Sequence, residues 1–279
     1  MKTNTVILVQ LLFMIPVFAY AANDQILQNT CREISEKLAS VGYQECLDRE
    51  LQTSDGFSTN NKPILIKQYP PSASGDQPLG KVLLIGGMHG DEYSTVTMVF
   101  KWMRILDQHH TGEFYWKIAP LLNPDGLLQD LSQRLNANGV DLDRNFPSAN
   151  WNEETLGSWE NNTPVDPLTY PGESPLSEAE SRWLDEQINT FNPDVIVVLH
   201  ASYTLNNFGN NTERSYKLVR LHTDQLATRP GSLSHYAGVI RQIPVLVIEL
   251  PYADKMPGSS QINTIWLDFV RWLNDALSS

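Results

Sequence analysis

Residues 83 to 95 read LLIGGMHGDEYST, and this stretch joins a buried strand to a helix. The run KVLLIGG, residues 81 to 87, is short, continuous and aliphatic, which is the pattern of a strand covered on both faces. His89, Asp91 and Glu92 follow it directly. The helix predicted after them carries one apolar face, made of Val96, Val99, Phe100, Met103 and Leu106. The sequence therefore predicts a strand–turn–helix unit with polar groups crowded into its turn.

Three further apolar runs predict strands, and each has a polar residue at or near its end. The runs are YWKIAPLLN (115–123), DVIVVLH (194–200) and IPVLVIEL (243–250), and the polar residues are Asn123, His200 and Glu249. Strands that alternate with helices predict an α/β fold whose helices cover both faces of one sheet. Sites in such folds collect beyond the strand ends, so these side chains mark a candidate site.

Two more helices are predicted in the second half of the chain. Residues 174 to 191 begin with a capping box, in which Ser177 is followed by Glu180 three positions later. Residues 262 to 277 form the last helix, and its apolar face consists of Ile265, Trp266, Phe269, Trp272 and Leu273.

Composition excludes several classes of partner. The chain has 279 residues, 41% of them hydrophobic, which suffices for one sizeable domain. Its formal net charge is −12 and its pI is about 4.9. Nucleic acids and anionic membranes favour basic surfaces, so neither is expected as a partner.

The first 21 residues have the pattern of a signal peptide. Lys2 precedes an apolar stretch over residues 6 to 18, and Ala19-Tyr20-Ala21 supplies a small-x-small cleavage signature. The alternative is a membrane anchor, but a span needs about 20 apolar residues, more than this run provides. We therefore expect an exported protein with no stable membrane insertion after the signal is removed.

Cys31 and Cys46 are the two cysteines of the chain. A close-set pair in an exported protein predicts a disulfide, and the alternative is two unrelated buried thiols. The expected compartment is oxidising, and we interpret it as a bacterial periplasm. Residues 22 to 75 are then an N-terminal segment with a helix over 24 to 40 and a strand-and-turn region over 41 to 70, in which residues 53 to 63 form the turn. Residues 76 to 279 form the catalytic domain.

His89, Glu92 and His200 are a candidate zinc site. Zinc favours nitrogen and oxygen ligands, and catalytic sites use three protein ligands and leave a fourth position open. A His-x-x-Glu turn is common by chance, and His200 could instead be a hydrogen-bonded histidine at a sheet end. The other histidines are predicted to be surface residues, namely His109, His110, His222 and His235.

Motifs between the candidate ligands strengthen the metal hypothesis. NPDG (123–126) is followed by RLNANGVDLDRNFP (134–147), then HASY (200–203) and IEL (248–250). Together with HGDE (89–92), this order resembles the zinc metallocarboxypeptidase (funnelin) family, and within it the murein peptide amidase branch. The resemblance covers about residues 81 to 252. It implies a single α/β domain with a central mixed, twisted sheet and one bound Zn²⁺.

The resemblance assigns the core of a catalytic centre. It implies that His89, Glu92 and His200 bind zinc. Asp141 would accept the other N–H of His89 and fix its orientation. Glu249 would act as general base and then general acid, which suits a carboxylate on a buried strand. The alternative for Glu249 is an ion pair at a sheet edge.

The same resemblance assigns two arginines. Arg134 would stabilise the oxyanion of the tetrahedral intermediate, and its alternative is a solvated loop arginine. Arg144 would bind the terminal carboxylate of the substrate through two parallel hydrogen bonds. Asn145 and Phe146 are expected to shape the turn.

The chain departs from the family pattern in two places. The family usually has asparagine before the second arginine, whereas this chain has Asp143. Asp143 could meet a substrate ammonium, or it could form a salt bridge with Arg144. The tyrosine that many carboxypeptidases bring over the substrate also has no equivalent, and Tyr236 and Tyr203 are the nearest candidates. The loop over residues 150 to 175 is expected to form a rim of the site, or a plain surface loop.

The expected activity is hydrolysis of the γ-D-glutamyl–diaminopimelate bond of a murein tripeptide, in peptidoglycan remodelling or recycling. One alternative is a carboxypeptidase that acts on ordinary peptides. An acylamino-acid deacylase also uses His-x-x-Glu and a distant histidine, but NPDG and GVDLDRNFP favour the carboxypeptidases. A non-catalytic module that binds the cell wall is the alternative from a different class.

Overall fold

The structure is a computed structural model, and it describes residues 15–72, 77–162, 164–201, 217–221 and 229–278, with side chains left undescribed over 15–22 and 217–221. These residues contain a seven-stranded sheet in the order β1-β2-β4-β3-β5-β7-β6. The strands are β1 Gln52–Phe57, β2 Pro63–Tyr69, β3 Gly80–Ile85, β4 Phe114–Ala119, β5 Val195–Ala201, β6 Lys217–Leu221 and β7 Val245–Leu250. The helices are α1 Ile15–Lys37, α2 Tyr43–Asp48, α3 Tyr93–His109, α4 Pro124–Leu127, α5 Gly157–Glu160, α6 Ala179–Phe191 and α7 Ser259–Leu277.

The centre of the sheet is parallel and its two sides are antiparallel. β3 pairs in parallel with both β4 and β5, and β5 pairs in parallel with β7. β2 runs antiparallel to β4, and β6 runs antiparallel to β7. The predicted mixed α/β sheet is therefore confirmed. Because the central strands share one direction, the polar residues that follow them lie at one edge of the sheet.

Helices pack on both faces of this sheet, as predicted. On one face, α1, α3 and α7 cover side chains such as Val82 and Leu84, and Trp102 stacks on Phe269 with ring centroids 5.3 Å apart. On the other face, Trp183, Leu184 and Ile188 of α6 cover Leu83 and Ile85. The alternation along β3 sends successive side chains to opposite cores, and this explains why its sequence is continuously apolar.

Two glycines hold the strand ends close together. Gly87 has φ +57°, a conformation that side chains disfavour. A Cβ on Gly90 would lie 2.2 Å from the carbonyl carbon of Gly126, so the HGDE turn packs backbone to backbone against the NPDG turn. The Asn123 amide donates to Gly87 O at 2.9 Å, and the Asn123 side chain caps α4 by accepting from Gly126 N at 2.8 Å. This packing fixes the turn that carries His89.

The N-terminal segment contributes strands to the same sheet. Cys31 of α1 and Cys46 of α2 form the predicted disulfide, with Cα atoms 5.5 Å apart. The helix predicted over residues 24 to 40 is α1, which begins at Ile15 and ends at Lys37. The predicted turn over 53 to 63 is shorter than expected, because residues 53 to 57 all belong to β1, and Phe57 pairs with Pro63 of β2.

The predicted capping box before α6 is wrong. The helix begins at Ala179, and the N-cap residue is Glu178, which makes no side-chain cap. Ser177 lies outside the helix, where its hydroxyl donates to Glu178 Oε1 at 2.7 Å and accepts from Asn145 Nδ2 at 2.9 Å. Glu180 turns into the protein and accepts from Thr59 N at 3.1 Å. Ser177 and Glu180 therefore bind residues distant in sequence and do not form a capping box.

Within the residues that the structure describes, no helix is both long and apolar enough to cross a membrane.

Candidate metal and catalytic site

His89, Glu92 and His200 come together at the carboxyl ends of β3 and β5. One ligand atom from each residue lies within 4.8 Å of the others, and all three side chains are buried. His89 and Glu92 belong to the turn after β3, and His200 is the penultimate residue of β5. The parallel pairing of β3 with β5 thus brings together residues that are more than a hundred positions apart in sequence. The structure places the three predicted ligands in one cluster.

The donor atoms of this cluster suit zinc. His89 Nδ1 lies 2.9 Å from Glu92 Oε1, and His200 Nδ1 lies 3.5 Å from Glu92 Oε2. The two imidazole rings are 4.9 Å apart between centroids. The Ala201 amide donates to Glu92 Oε2 at 3.0 Å and so holds the carboxylate in place. Two imidazole nitrogens and one carboxylate are a ligand set of catalytic zinc sites, and these residues fit that ion.

Charges in the cluster compensate one another. Burial acts to raise the pKa of Glu92, but His89 and the hydrogen bond from His200 outweigh it and lower that pKa to about 2. Burial acts to lower the pKa of His89, whereas Glu92 and Asp141 outweigh it and raise that pKa to about 9. The geometry therefore strongly favours an ionised Glu92, which is the form that binds a cation.

Asp141 lies behind His89 in the position predicted for it. Its Oδ1 is 2.9 Å from His89 Nε2, and its Oδ2 accepts from Arg134 Nη2 at 2.9 Å. The side chain is fully buried, and Oδ1 also accepts from the Asp143 amide at 2.9 Å. Burial acts to raise the pKa of Asp141, but His89 and Arg134 hold it well below its usual range. An ionised Asp141 fixes the tilt of the His89 ring, whose Nδ1 faces Glu92 Oε1 and lies 3.2 Å from Arg134 Nη1.

Arg134 is part of the cluster and not a solvated loop residue. Besides its contacts with Asp141, its Nε donates to Leu168 O at 3.1 Å. Its Nη1 lies 3.6 Å from Glu92 Oε1. A guanidinium held this close to the ligands can stabilise negative charge that develops beside them, the role expected of Arg134.

Glu249 faces the cluster from the neighbouring strand. In the parallel pairing of β5 with β7, Glu249 is the register partner of His200. β7 lies between β5 and β6 in the sheet, so Glu249 is not at a sheet edge. Burial raises the pKa of Glu249, His200 opposes this, and Glu92 and Asp143 add to it. A raised pKa suits a group that must both accept and return a proton near neutral pH.

Asp143 and Arg144 form an ion pair beside the cluster. Arg144 Nη1 donates to Asp143 Oδ2 at 3.1 Å, and Asp143 Oδ1 accepts from the Leu233 amide at 3.0 Å. Asp143 Oδ2 is also 3.9 Å from His200 Nε2. The salt bridge that was one alternative for Asp143 is therefore present. Both Asp143 oxygens have partners.

Tyr236 does not cover the site, contrary to the prediction that it binds substrate. Its hydroxyl donates to Asp185 Oδ1 and accepts from Arg241 Nη1 at 2.7 Å. Its ring stacks on Phe146 with centroids 5.9 Å apart and is only 7% exposed. These contacts make Tyr236 a packing residue under the Arg144 turn. Tyr203, the other candidate, lies outside the described residues.

Of the remaining predictions on single residues, some are confirmed and others are wrong. Asn145 shapes the turn as expected, since its Nδ2 donates to Pro171 O at 2.8 Å and Ser174 O at 3.1 Å. His109 is exposed as predicted, whereas His110 is only partly exposed and its Nε2 is 2.7 Å from Pro70 O. His235 is half-buried and not a surface residue, because it begins the helical turn that packs under the site. His222 lies outside the described residues.

A buried network of carboxylates behind the site escaped the sequence analysis. Asp125 Oδ2 accepts from Asn60 N at 2.8 Å, and Glu178 Oε2 accepts from Asn136 Nδ2 at 2.7 Å. Glu180 Oε1 accepts from Thr59 N at 3.1 Å. These bonds tie the β1–β2 turn to the segment between Arg134 and Asp141. In the sequence, only the polar residues of the NPDG and NANG motifs indicated this network.

A pocket borders Arg144, and none of the three candidate metal ligands lines it. Its lining includes Glu154, Trp159 and Arg229 in addition to Arg144. Glu154 and Trp159 belong to the 150–175 loop, so this loop lines the cavity beside Arg144. Sequence reasoning did not single out Glu154 or Arg229.

Comparison with known proteins agrees with this geometry. A family model described as zinc carboxypeptidase matches residues 56–236. Murein peptide amidase A of Escherichia coli (strain K12) is 38% identical over 201 residues, which cover 68% of this chain and 79% of that protein. Murein peptide amidase A of Vibrio campbellii (strain ATCC BAA-1116) is 29% identical over 206 residues, covering 71% of this chain and 79% of that protein.

Two solved structures show the same fold. Bovine thrombin-activatable fibrinolysis inhibitor, in complex with tick carboxypeptidase inhibitor, matches with a TM-score of 0.61 at 14% identity, covering 82% of this chain and 89% of that chain. Carboxypeptidase A from Helicoverpa armigera matches with a TM-score of 0.58 at 18% identity, covering 85% of this chain and 72% of that chain. At these identities the likeness extends to the fold alone.

Proposed function

The chain belongs to the zinc carboxypeptidase family, a family of hydrolases, and on that premise we propose that it is an exported murein peptide amidase. The proposed reaction is hydrolysis of the γ-D-glutamyl–diaminopimelate bond of a murein tripeptide, which releases the C-terminal diamino acid. The hydrolase function is supported by one arrangement. His89, Glu92 and His200 form a cluster, and Glu249 is the register partner of His200 on the next strand. The proposed substrate is supported by the two murein peptide amidases that this chain resembles.

His89, Glu92 and His200 would hold the zinc ion. Zinc at this position would supply Lewis-acid polarisation of the scissile carbonyl and would acidify water. The protein orients this centre through Asp141, which fixes the His89 ring, and through the Ala201 amide, which fixes Glu92. The remaining chemistry belongs to side chains around the ligands.

Glu249 acts first as general base and then as general acid. Its carboxylate takes a proton from the attacking water and returns it to the leaving amine of the diamino acid. Arg134 donates to the oxygen on which negative charge develops, and its bonds to Asp141 hold its guanidinium in place beforehand. Preorganisation matters here because a donor that is already oriented needs no rearrangement in the transition state.

Arg144 binds the free α-carboxylate of the C-terminal residue, which makes the cut exo-acting. A guanidinium matches a carboxylate with two parallel hydrogen bonds. The Asp143 ion pair holds Arg144 through Nη1 and leaves its other donors for the substrate. The distance between Arg144 and the ligand cluster then selects which peptide bond is cleaved.

We also propose export to a periplasm. Support comes from the signal-peptide pattern of residues 1 to 21 and from the Cys31–Cys46 disulfide, since disulfides persist in oxidising compartments. Cleavage after Ala21 would divide α1 and leave its later turns, which include Cys31, in the mature protein. N-terminal sequencing of protein recovered from periplasm tests this, and a chain that retains residues 1 to 21 in the cytoplasm would refute it.

The test of function is mass spectrometry of products. The purified protein, supplied with zinc, is incubated with L-Ala-γ-D-Glu-meso-diaminopimelate and separately with a hippuryl-type peptide. We expect release of free diaminopimelate from the first and little cleavage of the second. The reverse pattern would make the protein a carboxypeptidase of ordinary peptides. A zinc-loaded protein that cleaves neither would be a binding module.

A further inference from the structure

We propose that the pocket beside Arg144 recognises the charged far end of the diamino acid, with Arg229 binding its distal carboxylate and Glu154 its ammonium. This assignment deepens the proposed function and rests on it. The pocket is lined by Arg144, Glu154, Thr155, Trp159, Asn162 and Arg229, among others. It therefore combines two guanidinium groups, one carboxylate and an aromatic wall in one cavity next to the predicted carboxylate anchor.

The wall that carries Arg229 is fixed to the catalytic turn by backbone contacts. Phe146 N donates to Gly231 O at 2.8 Å, and Leu233 N donates to Asp143 Oδ1 at 3.0 Å. Gly231 has φ +84°, and a Cβ there would lie 2.5 Å from Arg144 O. Only glycine permits this approach, so the segment that begins at Arg229 is held against Arg144.

The opposite wall is the short helical segment of the rim loop. Asn150 N donates to Glu154 Oε2 at 3.2 Å, and the hydroxyls of Ser148 and Thr155 are 2.9 Å apart. Trp159 Nε1 donates to Asp166 O at 2.8 Å, which fixes its indole at the pocket. These contacts hold the carboxylate of Glu154 and the indole of Trp159 on the side of the cavity formed by residues 150 to 160.

The charges of the pocket match those of the proposed leaving group. In the intact tripeptide, the diaminopimelate residue carries an α-carboxylate beside the scissile amide and, at its far end, a second carboxylate and an ammonium. Arg144 and Arg229 supply two cations for the two carboxylates, and Glu154 supplies one anion for the ammonium. Trp159 and Thr155 offer apolar surface for the methylene chain between the two ends. A C-terminal residue with a neutral side chain would leave Arg229 and Glu154 without ligands.

Glu154 is a better partner for the ammonium than Asp143. Both oxygens of Asp143 already have donors, from Leu233 N and from Arg144 Nη1. Only one oxygen of Glu154 accepts a hydrogen bond from a described residue, at Asn150 N. The ammonium hypothesis that the sequence raised for Asp143 therefore moves to Glu154.

The test compares three tripeptides that differ only in their last residue. L-Ala-γ-D-Glu is followed by meso-diaminopimelate, by L-lysine, which lacks the distal carboxylate, or by L-norleucine, which lacks both distal charges. The value of kcat/KM is measured for the wild type, Arg229→Gln, Glu154→Gln and Asp143→Asn. Arg271→Gln, exposed on α7, and Glu153→Gln, exposed beside Glu154, serve as matched controls.

We expect Arg229→Gln to lower kcat/KM about 10-fold to 100-fold for the diaminopimelate peptide alone, since one charge-assisted contact is lost. Glu154→Gln should lower it for the diaminopimelate and lysine peptides and leave the norleucine peptide unchanged. Equal effects on all three peptides, or no effect, would overturn the assignment. Loss of lysine turnover in Asp143→Asn but not in Glu154→Gln would return the ammonium to Asp143.

The outcomes separate this inference from the proposed function. A wild-type protein that cleaves none of the three tripeptides would refute the amidase itself. If the wild type cleaves all three tripeptides and each variant lowers kcat/KM equally for all of them, the amidase function stands and only the pocket assignment is refuted. Direct binding of free meso-diaminopimelate by calorimetry adds a readout without turnover, and Arg229→Gln should weaken that binding while Arg271→Gln should not.

Discussion

His200 and Glu249 are register partners on the adjacent parallel strands β5 and β7, so a predicted metal ligand and the predicted proton carrier face one centre from neighbouring strands. Metal binding and proton transfer are therefore assigned to different side chains, because Glu249 is not a member of the ligand cluster. Its substitution should therefore affect turnover without loss of metal.

We predict that Glu249→Gln lowers kcat by about 10²- to 10⁴-fold, the usual contribution of general acid–base catalysis. Glutamine has nearly the same shape but cannot take the proton. Turnover of the murein tripeptide and bound zinc are measured together, and Glu186→Gln, exposed on α6, is the control. A variant that retains full activity would remove Glu249 from the mechanism, and one that loses zinc would place it among the ligands.

Asp141→Asn should weaken zinc binding by about 10-fold to 100-fold, the usual effect of removing a carboxylate that orients a ligating histidine. The substitution keeps the size of the side chain but removes the charge that faces His89 Nε2 and Arg134. Competition with a chelator of known affinity measures the change. An unchanged zinc affinity would show that the Ala201–Glu92 contact and the fold alone orient the ligands.

The Cys31–Cys46 disulfide should stabilise the protein by about 3 kcal/mol, the chain-entropy value for a loop of about 15 residues. Urea unfolding is compared between oxidised protein and protein reduced with a phosphine. The midpoint should fall on reduction without a large change in slope. The double variant Cys31→Ala, Cys46→Ala should not respond to reductant, and a wild type that is equally indifferent would contradict the prediction.

Glu180 should make stability depend on pH. Burial raises its pKa in the folded state, with hydrogen bonds from Thr59 and Asn136 in opposition. The folded state therefore holds this proton more tightly than the unfolded chain, in which the pKa is about 4.3. The stabilising effect is complete below that value and is lost as the pH rises through the raised pKa.

The unfolding free energy of the wild type should therefore fall, relative to Glu180→Gln, as pH increases from below about 4.3 toward neutrality. Urea titrations at several pH values measure the difference between the two proteins. The same comparison with the exposed Glu186→Gln should show little pH dependence. A difference that grows in favour of the wild type with rising pH would show that the hydrogen bonds, and not burial, control Glu180.

Local patterns were enough to predict the four strands β3, β4, β5 and β7 and the polar residues at their ends, whereas β6 was not predicted. β3 alternates between two apolar cores, and this explains its unbroken run of aliphatic residues. His89, Glu92 and His200 follow such runs, so their meeting followed from parallel pairing. Asp141 and Arg134, in contrast, came from the resemblance to a family, because nothing in their immediate sequence reveals their contact with His89.

Contacts between distant segments account for the predictions that were wrong. Ser177 and Glu180 have capping-box spacing, but Asn145 and Thr59 provide competing partners from other parts of the fold. Tyr236 was chosen by its position in sequence, and Asp185 and Arg241 engage its hydroxyl. These competing partners are not visible in a single sequence. Asn145, Thr59 and Asp185 lie 32 or more positions away from the side chains they contact, and Arg241 reaches Tyr236 only through a helical turn.

The central claim is that one zinc ion is bound by His89, Glu92 and His200. Mass spectrometric metal analysis of the purified protein tests it most directly, after chelation, addition of zinc and removal of the excess. The account predicts about one equivalent of zinc in the wild type and in Glu186→Gln, and little in Glu92→Gln or His200→Ala, which lack one of the three ligands. Full zinc content in both ligand variants, or none in the wild type, would contradict it.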